Sequence, residues 1–252
     1  QGIHFIGPNK GEMACGEVGY GKMASVHEIK KEIDYLLKPG ILTGKRALVT
    51  SGPTIEQIDP VRFISNNSSG KQGHAIADAK LISGPVNIKD PENMKVTKVN
   101  SAEEMLHECR ESLPVDIAVF AAAVSDWKCS KTSNIKIKKT SENDELNLNL
   151  EKNQDILKEI STLNKNRPDL VIGFSLETDN LIETAKEKLK NKSCDWIIAN
   201  EHHNGKESVF DSDMNSVKLV ENDNLEDWGY LTKNDIAEKL CIKISKFFNE
   251  AA

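Results

Sequence analysis

What most limits the folds open to this chain is its alternation of short apolar runs with amphipathic ones. Strand-like runs at residues 46–50, 81–84, 95–99, 116–122, 170–174 and 196–199 are separated by helical patterns at 69–79, 102–112, 154–163, 180–191 and 233–249. Continuous apolar strands are those buried on both faces, and parallel neighbours need a crossover between them. The pattern therefore predicts an α/β fold, a doubly wound, Rossmann-like, mostly parallel sheet with helices on both sides. Two segments leave the rhythm. Residues 134–139 and 145–150 flank a polar turn at 141–144 and read as an inserted β-hairpin, and 216–220 reads as a further strand. A length of 252 residues is enough to bury a core of this kind.

The first strand runs into a long loop, residues 51–68, rich in Gly, Pro, Ser and Asn. The loop opens a helical pattern at Ser68-Ser69-Gly70. Backbone N–H groups at a helix start lack internal partners and favour an anion, so a strand, such a loop and a helix start together suit a phosphate. An ordinary capped helix after a long loop is the plainer reading of the same residues. Asn66, just before the small residues, carries an amide that can donate to a phosphate or a developing oxyanion without changing protonation state; asparagine is also common in turns and caps.

Three later stretches share this character. Residues 120–127, FAAAVSDW, place small residues at the end of a buried strand, where an open α/β sheet binds ligands. Asp126 there can accept from a ribose or hold Mg²⁺, although a lone loop carboxylate is usually a surface residue. Lys136 and Lys138 fall on one face of an alternating run and suit a polyphosphate, or simply protect an edge strand. Phe174, at the end of the fifth strand, can pack against a base or belong to the core. Lys188 and Lys192 lie one helical turn apart and can point together at phosphates, or face solvent.

Net charge is −6 and the isoelectric point near 5.6, which argues against a general nucleic-acid binder and requires any bound anion to be held locally. No apolar run approaches the roughly 20 residues of a membrane span, and no secretory signal is visible. The five cysteines, 15, 109, 129, 194 and 241, are scattered and never in C-x-x-C spacing, consistent with a reducing cytoplasm and no structural zinc. The six histidines show no ligand spacing, and no Walker A, G-x-S-x-G or H-E-x-x-H motif occurs. Residues 1–25 are glycine-rich without helical or strand period, and 26–37 read as a helix capped by Ser25. One junction is awkward: the helix over 69–79 leaves only Lys80 before the next strand, too little for a normal crossover, so the helix or the strand must be cut short.

Residues 52–73, GPTIEQIDPVRFISNNSSGKQG, closely resemble the signature loop of phosphopantothenoylcysteine synthetase, the CTP-dependent phosphopantothenate–cysteine ligase of coenzyme A synthesis. In bacteria this is usually the C-terminal half of a bifunctional protein that also holds phosphopantothenoylcysteine decarboxylase. The AAAVxD pattern at 121–126, the KIKK run at 136–139, the KLxxKxxDxIxAN segment at 188–200 and echoes at Phe210, Asp213 and Asn215 follow in the family's order. The resemblance implies a ligase domain over residues 44–252, and over 1–43 the tail and last helix of a decarboxylase, so that the sequence would begin inside a longer reading frame. It implies an acyl-cytidylate formed from 4′-phosphopantothenate and CTP, then captured by L-cysteine. Asn66 would serve conversion of that intermediate and Lys136 its formation. Gly52, Ser68, Ser69, Gly70, Ala121, Ala122, Ala123, Asp126, Asn153, Asp155, Phe174, Lys188 and Lys192 would bind nucleotide or substrate. Mg²⁺ would accompany CTP, with Asp126 as its protein ligand, and the ligase halves would pair as a homodimer, with no nucleic-acid or membrane partner.

Cys15 would be the flap cysteine of the decarboxylase. FMN would belong only to that enzyme's body, which this sequence does not include, so decarboxylation is not expected of it. Asn67, Gln154, Ser175 and Leu176 depart from the family pattern, and part of the family's helix end and second strand is missing around Lys80. These departures keep open an alternative, a dimerising but catalytically impaired remnant. A nicotinamide oxidoreductase on the same fold is disfavoured, because no G-x-G-x-x-G follows the first strand.

Overall fold

The computed structural model describes all residues except 1–4, 13–17, 38–39, 78–79, 92–93, 140–144, 178, 202–211 and 251–252. The chain divides into two compact units, residues 1–44 with 244–252, and residues 45–243.

In the smaller unit, β1 (Asn9–Glu12) pairs antiparallel with β2 (Val18–Lys22), and α1 (Val26–Leu37) follows. The hairpin was not legible as a period, because alternate positions of VGYGK are glycine and present no side chain to pattern. The start of α1 is a reciprocal capping box. Ser25 Oγ accepts from the Glu28 N–H at 3.2 Å, and Glu28 accepts from the Ser25 N–H at 2.7 Å. The Ser25 hydroxyl, and after it the Ser25 N–H, hold the Glu28 carboxyl below its ordinary value.

The larger unit contains, in order, β3 (Ala47–Ser51), β4 (Ile55–Gln57), β5 (Phe63–Ser65), α2 (Lys71–Ile76), β6 (Lys80–Ser83), β7 (Lys95–Lys98), α3 (Ala102–Glu111), β8 (Ile117–Phe120), β9 (Trp127–Cys129), β10 (Leu150–Lys152), α4 (Ile156–Ser161), β11 (Leu170–Glu177), α5 (Leu181–Lys192), β12 (Trp196–Glu201), β13 (Met214–Val220) and β14 (Leu225–Thr232). The final helix, α6 (Lys233–Glu250), starts here. Eight strands form the central sheet in the order β7-β6-β3-β8-β11-β12-β13-β14. The first six run parallel, and β13 and β14 add antiparallel at one edge. From β3 the chain winds outward through β6 and β7, then returns to β8 on the other side of β3. The C-terminal ends of β3 and β8 are thus a topological switch point, where open α/β sheets bind ligands.

The strands that read as continuous apolar runs are the ones buried on both faces: Leu48, Ile117, Leu170, Ile172, Ile197 and Ile198 are fully buried. Helix α3 shows the sequence logic most plainly. Ser101 caps it by accepting from the Glu104 N–H at 3.2 Å, and Ala102, Met105, Leu106 and Cys109 fall on its buried face.

Three expectations are corrected. Residues 134–139 form no strand; an antiparallel pair is made instead by β9 and β10, three residues each. The expected turn at 141–144 lies outside the described residues. The strand at 216–220 is longer, 214–220, and pairs with β14, which carried no clear period. The bounds 69–79 give way to a helix of six residues, so the shortening the junction required falls on the helix; it closes at Ala77 in extended conformation (φ −67°, ψ 118°), and β6 begins at Lys80.

Candidate active site

A cavity of about 930 Å³ lies at the switch point. Its walls come from the loop before α2, the segment after β8, the residues between β10 and α4, the end of β11, one face of α5, and the ends of β12, β13 and α6.

The first wall holds Asn66, Ser68, Ser69 and Gly70. The Asn66 amide donates to the Val124 carbonyl at 3.0 Å, tying this loop to the segment after β8. Gly70 has φ +73°, and the Ser68 hydroxyl accepts from its N–H at 3.3 Å. The helix starts at Lys71 rather than Ser69, and its six residues give little macrodipole. Any anion held here is held by loop groups and side chains rather than by the helix.

Gly52 is not on the wall. With φ +74° and a Cβ position only 2.8 Å from Val86 Cγ1, it lets the end of β3 meet its neighbours. Its carbonyl accepts from the Ala123 N–H at 2.9 Å. Ala121, Ala122 and Ala123 form the second wall, and their N–H groups are spent on β3: Ala121 on the Thr50 carbonyl, Ala122 on Thr50 Oγ1 and Ala123 on Gly52. What they offer a ligand is a flat, small-side-chain surface. Asp126 is exposed at the cavity edge, and its carbonyl accepts from the Asn153 N–H at 2.8 Å. Asn153 Nδ2 is buried without a hydrogen-bond partner.

Lys188 and Lys192 rest on carboxylates. Lys188 donates to Glu177 at 2.7 Å and to Ser175 Oγ at 3.0 Å, and Ser175 in turn bonds Glu177. Lys192 pairs with Asp155, which also caps α4 by accepting from the Lys158 N–H at 3.1 Å. Phe174 also lines the cavity.

Cys15 lies outside the described residues. Lys136 is exposed and is not on the cavity wall. Its neighbour Ile137 donates to Asp59 at 3.1 Å and accepts from Arg62 Nη1 at 3.2 Å. Asp59 is buried, which works against its charge, yet N–H groups of Val61, Ile137 and Arg62 and the Arg62 guanidinium hold its carboxyl below the usual range. Asp195, matched by sequence, is also off the wall: it binds the Arg167 guanidinium at 3.0 and 3.1 Å and the Val171 N–H at 2.7 Å, fixing the start of β11.

Sequence reasoning did not assign Lys71, Gln72 and Lys233 to the site. Lys71 pairs with Asp213 at 2.7 Å and holds that carboxyl below its ordinary value; Gln72 Nε2 donates to the Lys233 carbonyl at 3.2 Å. Gln72 Oε1, Asn200 Oδ1 and Asn215 Oδ1 are buried without partners at this end of the cavity. Buried polar atoms of this kind are normally satisfied, so their orphaned state marks places a ligand or water fills. Lys71 and Gln72 fall inside the signature-loop match at 52–73, Asn200 in the 188–200 match and Asn215 in the later echo; Lys233 carried no signal, because α2, β13 and α6 meet only through the fold.

Among the described residues no three His, Cys, Asp or Glu side chains cluster as a metal site, and no helix is long and apolar enough to cross a membrane.

Fold and cavity together define a doubly wound α/β domain with a ligand cleft at its switch point, lined by amides, small residues and lysines. A family model described as the DNA/pantothenate metabolism flavoprotein C-terminal domain matches residues 42–248, and the chain belongs to that family. It is 41% identical over 229 residues to the coenzyme A biosynthesis bifunctional protein CoaBC of Haemophilus influenzae, covering 87% of this chain and 56% of that protein. It is 38% identical over 259 residues to a cysteine/cysteine sulfinic acid decarboxylase of an unknown prokaryotic organism, covering 96% of this chain and 71% of that one. A crystal structure of a CoaBC C-terminal domain superposes with a TM-score of 0.69 at 31% identity, covering 84% of this chain and all of the other. The chain thus spans about half the length of the CoaBC relatives it matches.

Proposed function

We propose that residues 44–252 catalyse the CTP-dependent ligation of 4′-phosphopantothenate with L-cysteine. The carboxylate of phosphopantothenate attacks the α-phosphorus of CTP and expels pyrophosphate. The cysteine amine then attacks the acyl carbon of the mixed anhydride, loses a proton and expels CMP. The observation that carries this reading is the convergence on one cavity of Asn66, the 68–70 loop, the 121–123 alanines, Asp126, Phe174 and the two α5 lysines. Positioning and charge neutralisation are what such a reaction needs. Lys188 and Lys192 would exchange their carboxylate partners for phosphate oxygens, and Asn66 would orient the intermediate. The part given to Lys136 rests on family resemblance, since it lies off the wall. Mg²⁺ would arrive on the triphosphate, and the residues fit one protein carboxylate, Asp126, rather than a cage; bound, it offsets triphosphate charge. The start of the family match at residue 42 and the division after Gly44 support a boundary between a decarboxylase tail and the ligase domain.

A homodimer is part of the proposal. Val61, Phe63, Trp127 and Ile135 are exposed on adjoining elements, β4–β5 packing against β9 and Arg62 holding Ile137. Light scattering of the purified chain at twice the monomer mass is the expected result, and a monomer at all concentrations would remove this part.

The deciding experiment measures pyrophosphate release with Mg²⁺, phosphopantothenate and CTP or ATP, with and without cysteine. Release that requires phosphopantothenate and prefers CTP is expected, and Lys136→Ala is expected to abolish it in a folded protein. The cut-short α2 favours a second reading, an impaired remnant, and no release from a folded wild-type chain would establish that reading instead.

A further inference from the structure

Four buried or half-buried groups behind the cavity loop form a connected chain that the ligation chemistry does not use. Ser51, at the end of β3, is fully buried, and its hydroxyl donates to the Gly70 carbonyl at 2.8 Å. The His74 ring, also buried, places Nδ1 2.9 Å from that hydroxyl and 3.1 Å from the same carbonyl. The His74 N–H reaches the Gly70 carbonyl as well, at 3.0 Å. Three groups thus converge on one oxygen, that of the left-handed residue joining the cavity loop to α2. On its other side His74 Nε2 has no hydrogen-bond partner and faces Asp90 at 3.6 Å, and Asp90 is paired with Lys98.

The need for such a brace follows from α2 itself. Six residues are too few to hold a helix by its own hydrogen bonds. Its contact with β3 is close: a Cβ on Gly73 would lie 2.5 Å from Ser51 Cβ and Oγ. With so little helix, the orientation of Gly70 depends on what grips its carbonyl. A phenyl ring at position 74 could fill the space but not the hydrogen bonds.

We propose that His74 is a positioning residue for the ligase reaction: with Ser51 it fixes the Gly70 carbonyl, and so holds residues 66–70 in the conformation that receives the nucleotide. The inference rests on the ligase reading above. The charged groups facing the ring are Asp90, in the connection after β6, and Lys98, on β7; Ser51 and Gly70 present neutral partners. Burial pushes the imidazole below its ordinary 6.5, against the Gly70 carbonyl and Asp90, which favour its charge. The neutral ring grips the loop through Nδ1, and the cation can bond on both sides.

The test compares His74→Phe, His74→Asn and wild type. Asparagine places an amide near the Nδ1 position, and phenylalanine does not. His74→Phe is expected to raise KM for CTP about tenfold, the worth of roughly one hydrogen bond, with kcat within about twofold; His74→Asn is expected to restore KM. Equal KM in all three proteins, or a loss in His74→Phe that asparagine does not restore, would overturn the proposal. His107→Asn, on the exposed face of α3, is the control expected to leave activity unchanged. A second readout needs no activity and covers a His74→Phe protein that fails to fold. In the nucleotide-free wild type, the Gly70 and Lys71 amide resonances should titrate with the His74 imidazole, at a midpoint below 6.5, and Asp90→Asn should lower that midpoint further. Amides that ignore the imidazole titration would also overturn it. A wild type that releases no pyrophosphate yet shows the coupled titration would sink the ligase reading and leave the brace standing.

Discussion

Gly84→Ala is the perturbation whose cost can be worked most directly from the structure. Gly84 follows β6, and its N–H donates to the Ser51 carbonyl at 2.9 Å. A Cβ there would sit 1.8 Å from the Pro53 carbonyl oxygen, which is backbone and has no rotamer to yield. Reaching even 3.0 Å requires the two segments to part by roughly 1.2 Å. Pro53 cannot retreat freely, because the chain around it is stitched to the segment after β8. The Ala123 N–H donates to the Gly52 carbonyl at 2.9 Å and the Thr54 N–H to the Ala123 carbonyl at 3.3 Å. Overpacking of this sort costs about 1–3 kcal/mol, and one of those backbone bonds adds about 1 kcal/mol. A total near 3 kcal/mol in a domain of this size lowers Tm by about 6–12 °C. The same movement displaces Ala123, so CTP binding should weaken beyond what stability explains. Differential scanning calorimetry with isothermal titration of CTP reads both. A Tm within about 2 °C of wild type would show that the close approach is not a constraint, and the reasoning would fail.

The two α5 lysines should separate binding from stability. Lys192→Ala leaves behind Asp155, which still caps α4, so CTP affinity should fall about 10- to 100-fold while Tm stays within about 2 °C. Lys188→Ala leaves the buried Glu177 without its cation, so affinity and Tm should fall together, and a Lys188→Ala protein as stable as wild type would contradict the pairing. Acid stability should depend on Glu226, whose carboxyl is held below its ordinary 4.5 by the Lys243 ammonium and then by the Trp228 indole N–H. Because the folded value is the lower one, this stabilisation is complete above about pH 4.5. It is lost as pH falls from there through the folded value, the unfolded chain taking up the proton first. The urea midpoint of wild type should drop over that window more steeply than that of Glu226→Gln, and parallel curves would remove the assignment.

The sheet was legible because its parallel strands are buried on both faces and therefore read as uninterrupted apolar runs; Leu48-Val49-Thr50 and Leu170-Val171-Ile172 leave little choice. The cavity walls were legible where chemistry concentrates in short loops after strands, at Asn66–Gly70 and Ala121–Asp126. Residues 135–138 show why periodicity failed elsewhere. Ile-Lys-Ile-Lys alternates as a strand should, but a strand needs a partner for its backbone groups. Here Asp59 and Arg62, more than seventy residues earlier, take the N–H and carbonyl of Ile137 instead. The resting pairs Lys188–Glu177 and Lys71–Asp213 were illegible for a related reason, since nothing in the spacing of charges says which will meet across a fold.

The short crossover between α2 and β6 requires the helix or the strand to be cut short, and the structure cuts the helix. β6 keeps its full ladders, Leu48 opposite Lys80 through Ser51 opposite Ser83 on one side and Lys80 opposite Lys95 through Ser83 opposite Lys98 on the other. The shortening falls on the helix, which stops at Ile76, and the sheet core around Leu81 and Ile82 remains fully buried. What the helix loses is the cooperative hydrogen bonding that would normally fix its first turn. The contacts that replace it all reach the same few atoms: Ser51 and His74 on the Gly70 carbonyl, and Gly73 seated on Ser51. On the proposed ligase reading, shortening on this side of the sheet is expected to act on function through the orientation of the 66–70 loop and not through loss of the fold. A protein in which catalysis has suffered should still unfold cooperatively with its sheet intact.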